Sequence, residues 1–173
     1  MPSSGSLLDH LTGGDRRSIG RANEVVTAVL ANPALLSELV PGLAHDDPLI
    51  RMRAADALAK VGEQRPELLQ PHKAAILGAR ASTQQEVRWH VAQMLAWLDL
   101  TPGERDAAAA SLVGYLGDRS AIVRTFALQG LADLAARDAR FRPLARERAE
   151  AALASESAAV RNRARKLLPR LVD

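Results

Sequence analysis

Residues 50–61 read IRMRAADALAKV, and the same sentence returns as VRWHVAQMLAWL at 87–98, VRTFALQGLADL at 123–134 and VRNRARKLLPRL at 160–171. The arginines in second place, Arg51, Arg88, Arg124 and Arg161, stand 37, 36 and 37 residues apart. Counting on from each, apolar residues recur three places later (Ala54, Val91, Ala127, Ala164), seven later (Leu58, Leu95, Leu131, Leu168) and ten later (Val61, Leu98, Leu134, Leu171). Steps of three and four gather those side chains into one stripe along an α-helix. A helix rewritten at a fixed period of this size marks a stacked array, in which each unit buries its apolar face against the next.

The punctuation around these helices is regular. Asn32-Pro33, Asp47-Pro48 and Thr101-Pro102 put a side-chain acceptor at the N-cap and proline at the first helical position, where its missing N–H costs nothing. Thr83 with Glu86 and Thr101 with Glu104 fit the capping box. These marks predict two helices per period: first members over 34–44, 71–81, 102–116 and 141–154, second members over 48–63, 85–98, 120–136 and 158–171. A further helix over 19–31 aligns with the second type, since Asp15, Arg21, Ala22, Glu24, Val26 and Val29 match Asp47, Arg53, Ala54, Asp56, Leu58 and Val61. The prediction is therefore all-α, four full pairs and a preceding half unit, about nine helices in one domain over 18–173. Residues 1–17, with Pro2-Ser3-Ser4-Gly5-Ser6 and Gly13-Gly14 around a small leucine cluster, read as a flexible tail.

Composition agrees with this. Of 173 residues 47% are apolar and only 3% aromatic, so the core is built from Leu, Val, Ile and Ala, which suits close helix packing. The absence of cysteine excludes disulfides, thiolate zinc sites and cysteine nucleophiles. No apolar run approaches the ~18 residues of a membrane span, and the amino terminus has no basic segment followed by an apolar one. The chain reads as soluble and cytoplasmic. Its net charge of +3 is uneven: residues 137–173 carry +5 and the remainder −2.

A helix pair whose second member opens near an acid, then Val-Arg, then Ala and Leu at core spacing resembles the HEAT repeat of the armadillo-like solenoids, including bacterial HEAT-like repeat proteins. The matching residues are Asp47 with Ile50-Arg51, Asp118 with Val123-Arg124 and Glu156 with Val160-Arg161; Thr83 and Gln84 stand where the second full unit should have its acid. The resemblance implies a right-handed α-solenoid in which Val is core and Arg51, Arg88, Arg124 and Arg161 form a ladder between units. It also implies that second helices line a concave face.

On that face the flanking positions two, five and nine places beyond the ladder arginine carry Arg53, Asp56, His90, Gln93, Trp97, Phe126 and Gln129, which together with Trp89, at i, i+4, i+8 with Gln93 and Trp97, are the candidate partner-binding residues. Trp and Arg are the side chains that most often anchor interfaces. No nucleotide-binding glycine loop, nucleophile elbow or zinc-protease motif is present, and the four histidines lack metal-ligand spacing. The leading expectation is a non-enzymatic scaffold with no cofactor or metal, receiving a protein or peptide on the concave face. The alternative is nucleic-acid binding, because some bacterial DNA glycosylases share HEAT-like repeats; Arg161, Arg163, Lys166 and Arg170 would then contact phosphates.

Overall fold

The computed structural model describes residues 6–15 and 17–172. A 3-10 turn, Leu7–Leu11, precedes α1 (Ala22–Ala31); then follow α2 (Leu36–Leu39) and α3 (Pro48–Gln64), α4 (Lys73–Gly78) and α5 (Gln85–Leu95). The chain continues with α6 (Pro102–Tyr115) and α7 (Ala121–Arg137), then α8 (Arg142–Ala152) and α9 (Ala158–Leu167). No strand occurs among the described residues. None of their helices is long and apolar enough to cross a membrane.

The helices alternate between two layers. The second members, α1, α3, α5, α7 and α9, pack neighbour against neighbour from end to end, whereas α6 makes no extended contact with α4 or α8. A stack closed on one side and splayed on the other curves, so the second helices form its inner face. Stripe residues meet as the periodicity predicts: Ala54, Leu58, Val61, Val87, Val91, Leu95, Val123, Ala127 and Leu131 are all at most 1% exposed.

The N-cap side chains at α3, α6, α7 and α9 bond the helix start, and the one at α5 does not. Asp47 accepts from Leu49 N–H, Ser120 from Val123 N–H and Ser157 from Val160 N–H, and Thr101 with Glu104 closes a full capping box. The expected box at Thr83 and Glu86 does not form. The cap of α5 is Gln84, whose side chain makes no bond to the helix because it is drawn instead to Arg51 and the Pro48 carbonyl.

Three expected helices are shortened by proline, which removes a donor and crowds the preceding turn. Pro41 divides the first member of unit one into α2 and the 3-10 turn Val40–Ala44, and Pro71 lies inside the 3-10 stretch Pro66–His72 ahead of α4. Pro169 ends α9 in the 3-10 turn Leu168–Arg170.

The N-terminal stretch differs from the expected tail. Leu7 is 9% and Leu11 0% exposed, and their turn packs on α1, α2 and α3 in the place of a first helix for the half unit. Residues 1–5 and 16 of that expected tail lie outside the described residues.

Candidate functional site

The repeated arginines form rungs with two ends. Arg51 donates to the His45 and Asp46 carbonyls at 2.7 and 3.0 Å, Arg124 to those of Asp118 and Arg119 at 2.8 and 3.2 Å, and Arg161 to those of Ser155 and Glu156 at 2.6 and 2.9 Å. Arg88 donates to the Ser82 carbonyl at 2.7 Å. The other end reaches the next unit: Arg51 to Gln84 Oε1 at 3.0 Å, Arg88 to Asp118 at 2.6 Å and Arg124 to Glu156 at 3.5 Å. Gln84 thus takes the place of the missing acid and returns a bond to Pro48. Burial works against the Asp118 carboxylate, but the Ser120 N–H and Arg88 more than offset it and hold its pKa below the ordinary value.

The half unit has Ile19 where the ladder arginine belongs, and Arg53 supplies the missing rung from the next unit. Its guanidinium donates to the carbonyls of Leu11, Thr12, Gly13, Asp15 and Ser18 at 2.6–3.2 Å. The residue is 1% exposed. Gly20 is held at φ +55, and a Cβ there would stand 2.9 Å from Arg53 Cζ, so both backbone and packing require glycine. Arg53, expected on the binding face, is buried and clamps the N-terminal turn to α3.

The remaining inner-face candidates form a chain of side chains across the second helices. Lys60 Nζ lies 2.6 Å from Asp56 and 2.9 Å from Asn23 of α1, and His90 Nε2 is 3.8 Å from Asp56. Burial lowers the His90 pKa to about 4 against the pull of Asp56, so the imidazole is neutral at pH 7 and the contact is not an ion pair. The Trp89 and His90 rings meet edge to face with centroids 5.5 Å apart. Gln93 donates to the Trp89 carbonyl at 3.2 Å. Arg53, Asp56, Glu86, Trp89 and His90 are among the residues that line a cleft of about 190 Å³.

Further along, Gln129 donates to both Asp133 oxygens at 2.8 and 2.9 Å and accepts from Arg163 at 2.6 Å, while Arg170 reaches Asp133 at 2.9 Å. Three of the four cations considered for phosphate, Arg161, Arg163 and Arg170, are therefore engaged within the chain; Lys166 is exposed. Lys60, Asn23 and Asp133 belong to this network although the candidate set omits them. The signal for Lys60 and Asp133 is their place nine residues beyond the ladder arginine.

These features define a helical repeat solenoid. No protein-family model matches the chain, and no curated protein does. Among solved structures it is similar to two crystal structures of engineered proteins from the Northeast Structural Genomics Consortium. The TM-scores are 0.68 and 0.67 at 20% and 22% identity, over 95% of this chain and 79% and 77% of theirs. A third engineered protein from the same source matches at TM-score 0.65 and 21% identity, over 95% of this chain and 46% of its own. At such identities the likeness concerns the fold.

Proposed function

We propose that the chain is a HEAT-like, non-enzymatic binding module of the cytoplasm that receives a protein or peptide on the inner face of α3, α5 and α7. The observation that carries this reading is the placement of its aromatic side chains. Tyr115 and Phe141 are buried, while Trp89, Trp97 and Phe126 stay partly exposed on α5 or just beyond its end and on α7. Large rings flanked by Asp56, His90, Gln93 and Gln129 combine apolar area with hydrogen-bonding groups, the combination found at interface anchors. Nucleic acid is the weaker reading because Arg170 is paired with the Asp133 carboxylate, although Arg161 and Arg163 bond only neutral acceptors.

Affinity capture followed by mass spectrometry, run with the native chain and with a Trp89→Ala/Gln93→Ala variant shown by circular dichroism to be folded, tests the face. Proteins captured by the native chain and lost with the variant are the expected result. Identical captured sets reject the face. Anisotropy of labelled duplex DNA that falls steeply with salt favours the nucleic-acid reading instead.

A further inference from the structure

We propose that the loop edge of units one to three is a second docking surface, adjoining the inner face at Glu86, and that its partner is an acidic protein segment carrying an apolar anchor. Two grooves meet there. One, of about 650 Å³, runs between the turn Val40–Ala44 and α4, with Val40, Pro41, Leu43, Ala75 and Ala79 in its walls. The other, of about 600 Å³, is lined by polar groups that include Gln85, Glu86, Arg88, Asp118 and Arg119. Arg51, Thr83 and Gln84 line both, so the surface is continuous from an apolar half to a polar half.

The apolar half exists because proline breaks the first members of units one and two, leaving short pieces with small side chains facing a gap. Nothing lies within 4 Å of the position a Cβ on Gly78 would take. The space accepts a side chain of leucine or phenylalanine size.

Charge decides what accompanies that anchor. Arg51 is bonded only to neutral acceptors, the His45 and Asp46 carbonyls and Gln84 Oε1, so its charge is not matched by a carboxylate. Arg119 in the same lining is exposed. Arg88 is matched by Asp118, which leaves Glu86 against two unmatched guanidinium groups. The first-turn N–H groups of α5 add to the positive side, since Gln84 does not cap them. Carboxylates beside an apolar side chain complement this surface, and a basic segment does not.

The experiment uses a fluorescein-labelled peptide with a leucine-phenylalanine pair followed by glutamates, titrated into the full chain and read by anisotropy. Control peptides carry lysines in place of the glutamates, or serines in place of the apolar pair. Saturable binding of the acidic peptide is expected, reduced about tenfold by Arg119→Glu and several-fold by Gly78→Leu. Trp89→Ala should leave it unchanged, which separates this surface from the inner face. The proposal is overturned if there is no saturation by about 1 mM peptide, if the lysine control binds equally, or if neither loop-edge variant weakens binding. Binding of an oligouridylate that depends on Arg119 while the acidic peptide fails also overturns it, in favour of RNA.

Discussion

Arg53 and Gly13, 40 residues apart in sequence, meet at 2.6 Å between guanidinium Nη1 and carbonyl oxygen. This bond and its neighbours fasten the N-terminal turn to α3. Arg53→Met keeps the bulk and removes every donor, leaving carbonyls near the core unsatisfied, at a cost of about 3 kcal/mol. Urea melts measure the loss, and hydrogen exchange should show protection falling first around residues 8–12. A cost under about 1 kcal/mol would mean that leucine packing alone seats the turn.

The ladder rungs are unequal, and their geometry ranks them. Arg88 and Asp118 meet at 2.6 Å with Asp118 only 6% exposed, whereas Arg124 reaches Glu156 at 3.5 Å with Glu156 90% exposed. Double-mutant cycles should give a coupling of about 1–2 kcal/mol for the first pair and below about 0.5 for the second. Equal couplings would contradict the view that burial sets the strength of each rung.

What could be read beforehand followed from repetition. Val87, Val91 and Leu95 answer to Val123, Ala127 and Leu131 because a buried stripe imposes the helical period on every unit, so layer order and core are legible without coordinates. The clamp was not. Arg53 binds main-chain carbonyls, which leave no side-chain signature and have no fixed spacing from α3. Its neighbours in register, His90 and Phe126, do lie on the partly exposed inner face, so alignment alone placed Arg53 there too. The loop-edge grooves were equally hidden: Pro41 and Pro71 announce a break in a helix, but the gap beside it depends on how far neighbouring units splay.

His90 should make stability depend on mildly acid pH. Its folded pKa is lowered from 6.5 to about 4, chiefly by burial, so between those values the unfolded chain takes up a proton that the folded chain refuses. Stability is then full above 6.5 and declines as pH falls through this window, by about 2 kcal/mol at about pH 5. His90→Gln removes the group and should flatten the profile there. Parallel losses in both proteins would show that His90 is hydrated enough to titrate normally.

Gly62 lets Trp97 lie against α3. A Cβ at that position would come within 2.5 Å of Leu69 Cδ1 and 2.8 Å of Trp97 Cε3, inside any real contact. Leu69 is fully buried and Trp97 packs against the core, so Gly62→Ala should overpack the site and destabilise by about 1–3 kcal/mol, despite the better helix propensity of alanine. Displacement of the indole toward solvent should also shift the tryptophan emission to the red, and the same alanine placed in a Trp97→Leu background should cost less. If Gly62→Ala instead raises the melting temperature with unchanged fluorescence, the ring is not held against α3.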